Sequence, residues 1–478
     1  MDDVTSNESL ILYIQSLFHD SADLTVRKIT WKDGDAIVCF FNTLTDSSEV
    51  NKQIEILRLR SSADLPNWAG TATSSAGAFS VPKLVESVSN GFVAIVFPTT
   101  NLLMTITIPS FEVRTTTEPN NEIVIRGPHE GFVESIDKNI SLIRKHLFIS
   151  DLVVKDVRLG EDTNTKVTYV YIESIANKDV VKEVKTRIED IDRTKIYSIG
   201  QIEDYLEDSV WSPFPQFLNT ERPDRAVANL LEGKIVIFTD QSPSALIAPV
   251  NFFSFYETPD DFNGRILVGS FFRMLRIFSF LVAVFLPAFY IAVVGFHSEI
   301  LPYDLSRKVK VAVEFIPYRP IVEALIVELF IEVIREATIR LPAPIGPTIG
   351  IVGGLVIGDA IVNAGLVSNL MVVVVAMTAI SSFVVPSVEM NTTIRIIRFP
   401  FMMAATLFGF FGIAIGTIIL FIHLMNRSSL NQPYLSPVVP FDPSRFKNIF
   451  FRIPYYKNHK QQQTFTHGTG RRKRRGRN

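Results

Sequence analysis

The sequence predicts an α/β soluble N-terminal region of two subdomains, followed by an α-helical membrane domain with several spans. Three observations carry that prediction. Charges recur every few residues up to about Gly264, and beyond it come several long, mostly apolar runs, of the roughly 18 or more residues that ~30 Å of hydrocarbon requires. A hydrophobic content of 47% coexists with 20% charged residues, a mixture that fits a polar domain joined to a membrane domain. Short β-like runs alternate with helical patterns throughout the first half of the chain.

Within the first subdomain, residues 1–107, "AIVCFF" and "GFVAIVF" read as strands bounded by turn residues, with the helical "EVNKQIEILRLR" between them. Cys39, the single cysteine, sits inside "AIVCFF". Alone, it excludes an intramolecular disulfide framework or a multi-cysteine metal site, and it reads as a small buried hydrophobe. Residues 108–127 are polar, Thr-rich and broken by proline, as in a linker. The second subdomain, 128–264, places Phe132, Ile136, Ile140 and Ile143 at helical spacing. "KVTYVYIES", "KIVIFTD" and "SALIAPV" follow as strands, with "KDVVKEVKTRIEDI" as a helix.

The membrane domain, 265–426, holds five hydrophobic segments: 274–296, 321–341, 345–367, 369–386 and 399–424. A tail, 427–478, ends in "RRKRRGR". The N-terminus carries aspartates where a secretory signal would be basic, so the N-terminal domain and the basic tail are both expected on the cytoplasmic side. Two ends on one side require an even number of crossings. The expectation is therefore four crossings plus one re-entrant or broken segment, with 345–367 in that role and 321–341 crossing.

Two segments carry the candidate functional residues. In 321–341, Glu328, Glu332 and Glu336 stand four apart in one helical stripe, with Glu332–Arg335 and Glu336–Arg340 at pairing distance. That pattern suits a surface helix with its polar face in water, or a spanning helix whose stripe faces a water-filled path or a partner subunit. In "IGPTIGIVGGLVIGDAIVNAGLV" (345–367), Gly350, Gly353, Gly354 and Gly358 offer small surfaces for close helix packing between subunits. Asp359 and Asn363 project together there, with Val362 beside them, as candidate pore-lining groups. An acid at bilayer depth costs ~2.5–3.5 kcal/mol and marks a functional site, or else a packing helix whose acid finds an interfacial or basic partner.

Enzyme chemistry finds no foothold: Walker A, HExxH, paired Cys/His and G-x-S-x-G patterns are all missing. No cofactor and no metal site is expected. The basic tail beneath a membrane domain reads as a contact for anionic lipid rather than for nucleic acid.

"TERPDRAVANLLEGKIVIFTD", "ETPDDF", "LPAFYIAVVGFHSEILP", "EVIREATIRLPAPIGPTIGIVGGLVIG" and "VVPSVEMNTTIRIIRF" resemble the A subunits of bacterial spore germinant receptors over roughly residues 120–457. The resemblance implies a nutrient-sensing protein of the spore inner membrane that works with B and C subunits to trigger germination. It also implies a homo-oligomer, a pentamer, forming a nutrient-gated ion channel. Thr338, Asp359 and "SLNQPY" (429–434) depart from the family pattern, and a charge at position 359 bears on ion preference. A non-conducting receptor scaffold, coupling nutrient binding on a partner to other machinery, is the alternative. A transporter fits less well, since five segments with no evident inverted repeat suit one poorly.

Overall fold

The computed structural model describes residues 7–451 apart from 33, 59–73, 109–117, 120, 121, 123, 125, 192–195, 197 and 343–345. Most of the expected linker and the "RRKRRGR" run fall outside the described residues.

The first subdomain comprises α1 (Asn7–Leu17), β1 (Leu24–Trp31), β2 (Gly34–Phe41), α2 (Ser47–Arg58), β3 (Ser74–Ala78), α3 (Val81–Ser89), β4 (Val93–Phe97) and β5 (Leu102–Ile106). Its antiparallel sheet has the order β1-β2-β4-β5-β3. "AIVCFF" does not alternate because both faces of β2 are covered. Val38 and Phe40 pack with Val50, Ile54 and Leu57 of α2. Ile37, Cys39 and Phe41 pack on the other face with Ile14, Phe18, Leu84 and Val88. A strand buried on both faces reads as a continuous apolar run, and burial pushes the Cys39 thiol up.

The second subdomain comprises α4 (Ile136–His146), β6 (Leu152–Leu159), β7 (Thr165–Ile172), α5 (Lys178–Glu189), α6 (Ile199–Leu206), β8 (Leu218–Thr220), α7 (Pro223–Leu231), β9 (Ile235–Thr239) and β10 (Ala245–Ala248). Its order, β6-β7-β9-β10-β8, repeats that of the first strand for strand. The N-terminal region is thus two copies of one topology, a relation not evident in the sequence.

A buried ion pair joins the copies. Arg144 on α4 donates to both carboxylate oxygens of Asp23 at 2.6 and 2.7 Å, and its guanidinium lies 3.7 Å from the Phe41 ring centre. Ser21 and Thr43 also donate to Asp23. Burial alone would raise the Asp23 carboxyl; Arg144 and these hydrogen bonds outweigh it and hold the group below its ordinary value. A depressed carboxyl contributes stability above the unfolded-state value near 3.9, and loses it as pH falls through the lower folded-state value. The stability gap between wild type and Asp23→Asn should therefore be constant above about pH 5. Below about pH 4 it should close at up to ~1.4 kcal/mol per pH unit, as read by denaturant unfolding across pH.

After α8 (Pro259–Asn263) the chain enters the helical domain: α9 (Ile266–Phe296), α10 (Tyr303–Glu314), α11 (Pro320–Arg340), α12 (Gly346–Asn363), α13 (Asn369–Phe383) and α14 (Val388–Met425). Two of these, α9 and α14, are long and apolar enough to cross a membrane. The contacts give each helix a direction. Along its first half α9 is tied to the N-terminal region by Arg276–Asp261 at 2.7 Å and by Phe280 against Phe252. At its far end Tyr290 bonds Ser368, 3.2 Å away. From there α11 returns: Ser368 N donates to Glu323 at 2.9 Å near its start, and Arg335 lies 4.5 Å from the Phe383 ring centre near its end. The next helix, α12, runs back outward beside α11, bringing Gly350 toward Thr338 and Gly353 toward Ile334. Then α13 returns.

The last of these helices departs most from expectation. Residues 399–424 look like one crossing, but α14 folds back on itself at Gly409 (φ 57°, ψ −136°). A Cβ on Gly412 would stand 2.0 Å from the Ala404 carbonyl oxygen, and one on Gly416 would stand 2.9 Å from Phe401. Those contacts pair residues whose numbers sum to a near-constant, the mark of an antiparallel hairpin. Thr393 and His423, near opposite ends, accordingly meet adjacent residues, Pro213 and Ser212.

The backbone break that the sequence reading placed in 345–367 is found elsewhere. The reversal lies at Gly409, and Gly346–Asn363 is an unbroken helix. Glycine weakens a helix by about 1 kcal/mol per residue, less than an unpaired backbone group costs in an apolar surround. The hairpin returns the chain to the N-terminal region.

Residues 427–442, assigned above to the tail, are instead built into the core. Tyr434 donates to the Pro215 carbonyl at 2.8 Å, and Ser429 to the Gln216 carbonyl at 2.7 Å.

Candidate functional site

The acidic stripe of α11 runs from a buried to an exposed end. Glu328 is 0% and Arg398 2% exposed, and the two form an ion pair between α11 and the outgoing half of α14. One turn on, Arg395 donates to Glu332 at 2.6 Å, with Arg335 3.7 Å from the same carboxylate. Glu336 accepts from Arg340 at 2.8 Å on the exposed end. The two pairs read from helical spacing are present. The stronger partners, Arg395 and Arg398, come from a helix more than 60 residues away, and no local pattern could reveal them. They also account for two arginines inside an otherwise apolar layer: charge at such depth survives when paired.

The Gly-rich helix α12 presents a different surface. Gly350 and Gly353 lie toward α11, and a Cβ on either would make ordinary contacts of 3.7–3.8 Å. Gly354 and Gly358 would meet nothing within 4 Å. At 100° per residue, Gly354, Gly358 and Val362 form one edge of this free face, and Asp359 and Asn363 lie beyond it, away from α11. Asn363 donates to Asp359 at 2.9 Å, both side chains being exposed. The sequence-predicted residues thus divide: Glu328 and Glu332 bind within the subunit, while Asp359, Asn363 and the two outer glycines face outward.

A group missed in the sequence sits where α6 meets the start of α14. Burial, with Glu389 next in effect, pushes Glu203 up to about 9. Burial likewise pushes Glu207 up to about 7. Acidic residues on an amphipathic helix look like an ordinary solvated face until the tertiary contact is known. Among the described residues, no cluster of His, Cys, Asp and Glu could hold a metal ion.

Comparison with known proteins gives this architecture its family. The chain matches the family described as Bacillus/Clostridium GerA spore germination protein over residues 12–464. It belongs to that family. Among curated members of the GerA family, GerLA of Bacillus cereus is 37% identical over 444 residues, covering 90% of each chain. Spore germination protein KA of Bacillus subtilis (strain 168) is 40% identical over 353 residues, covering 74% of this chain and 65% of that protein. Spore germination protein A1 of the same strain is 39% identical over 372 residues, covering 78% and 77%. Among solved structures, the N-terminal domain of the A subunit of the Bacillus megaterium spore germinant receptor GerK3 is 27% identical. That alignment covers 52% of this chain and 95% of that domain, with a TM-score of 0.36.

Proposed function

We propose that this GerA-family chain is the A subunit of a nutrient-sensing germinant receptor in the spore inner membrane. In this reading it works with B and C subunits, and copies of it assemble, five to a ring, into a nutrient-gated cation channel. The N-terminal domain and the tail face the cytoplasm. One observation supports this most: α12 leaves a glycine edge and a carboxylate–amide edge free, while Glu328 and Glu332 of α11 are paired with arginines inside the subunit. A neighbouring subunit would pack on Gly354 and Gly358, which would turn Asp359, Val362 and Asn363 toward the axis. A ring of carboxylates favours cations, and an apolar constriction such as a ring of Val362 closes by dewetting.

Flux through liposomes holding the purified protein tests the reading. Asp359→Asn should lower cation over anion preference, and Val362→Ala should leak without nutrient, both with assembly retained. Glu332→Gln should alter stability more than selectivity. The α12 pore is wrong if Glu332→Gln alone changes selectivity. A wild-type protein that assembles with its partners and passes no ions would establish the scaffold alternative.

A further inference from the structure

Trp211 is 98% exposed and follows Val210, itself 57% exposed, on a loop with every other reason to be ordered. Immediately after it, Phe214 is buried against Phe252 and Tyr434, and the Pro215 and Gln216 carbonyls accept the Tyr434 and Ser429 bonds. The loop is also fixed in height against the helical layer. Ser212 lies 3.0 Å from His423, two residues before the end of α14. The Pro213 carbonyl accepts from Thr393, five residues after its start. At 1.5 Å per residue those positions lie ~3 and ~7 Å inside the near end of the helices. The headgroup region of one leaflet is about that thick, ~5–7 Å. Val388, Ile422 and Met425, at the same helix ends, are exposed apolar side chains as well.

We infer that Val210 and Trp211 form a wedge by which the N-terminal domain inserts into the headgroup region of the cytoplasmic leaflet, with bilayer lipid as its partner. The inference rests on the reading that the helical domain lies in a bilayer. An indole suits that depth, its apolar rings facing the acyl chains while the N–H reaches headgroup oxygens and water. The wedge gives the domain a membrane contact independent of the covalent connection through α9, set beside both ends of the α14 hairpin.

The full chain in nanodiscs, with phosphatidylcholine brominated either high or low on the acyl chain, tests this by tryptophan quenching. The chain has three tryptophans. Shallow bromines should quench the emission, and Trp211→Phe should remove most of that quenching while leaving quenching by aqueous iodide nearly unchanged. A second variant, Phe411→Trp in the Trp211→Phe background, reports on the bilayer itself, because Phe411 is 68% exposed at the far turn of the hairpin. If bromolipid quenches the indole introduced by Phe411→Trp, but Trp211→Phe changes only iodide quenching, the wedge is overturned. If neither position is quenched by lipid, the bilayer reading fails and the wedge with it.

Discussion

Glu328→Leu should destabilise the purified protein by about 3–5 kcal/mol, the range for removing one partner of a buried ion pair. Arg398→Met should do less harm. The asymmetry follows from the two groups left behind. A lone carboxyl can take up a proton and enter an apolar site as a neutral acid, whereas a guanidinium stays charged at any working pH. Arg398 without Glu328 would hold its charge against neighbours that include Arg395 and Arg335, with only Glu332 to offset them. The double variant Glu328→Leu/Arg398→Met should recover most of the loss, since apolar replacement of a whole buried pair is often neutral. Thermal unfolding of the two single variants and the double variant at matched detergent checks this. Additive losses in the double variant would show that the pair is not the interacting unit.

This pair marks a limit of what the sequence discloses. Within one helix the 3.6-residue period fixes which residues meet, so Glu332–Arg335, Glu336–Arg340 and Asp359–Asn363 were readable from spacing. Glu328–Arg398 and Glu332–Arg395 join different helices and depend on how α11 and α14 pack. The strands were readable because β-branched runs such as "VTYVYI" have few other uses. The duplication was not, because it lies in strand order while the two copies differ in side chains. The Gly-rich stretch misled for a physical reason: glycine propensities come from water-exposed helices, and an apolar surround penalises a broken backbone far more than a flexible one.

The hairpin is the other large effect, and its signal was present in Gly409, Gly412 and Gly416 at spacings of three and four. Hydropathy hid it, because a hairpin of two apolar helices has the same composition as one long span. Gly409 holds backbone angles that essentially only glycine adopts, and Gly412 lets the returning half rest on the Ala404 carbonyl. With spin labels at Val388 and Met425 in a Cys39→Ser background, pulsed electron resonance should give a separation well below the ~55 Å that 38 residues of continuous helix would span. A distance near 55 Å would refute the fold-back directly, with no destabilised variant involved. Gly412→Ala then puts a methyl where the two backbones touch. Its Cβ would begin 2.0 Å from an oxygen that cannot rotate away, so the halves must separate by more than 1 Å along their contact. The loss should reach or exceed the ~3 kcal/mol upper end of ordinary overpacking. The label distance should broaden and lengthen in step, because Thr393 and His423 can both reach the 212–213 loop only while the hairpin is closed.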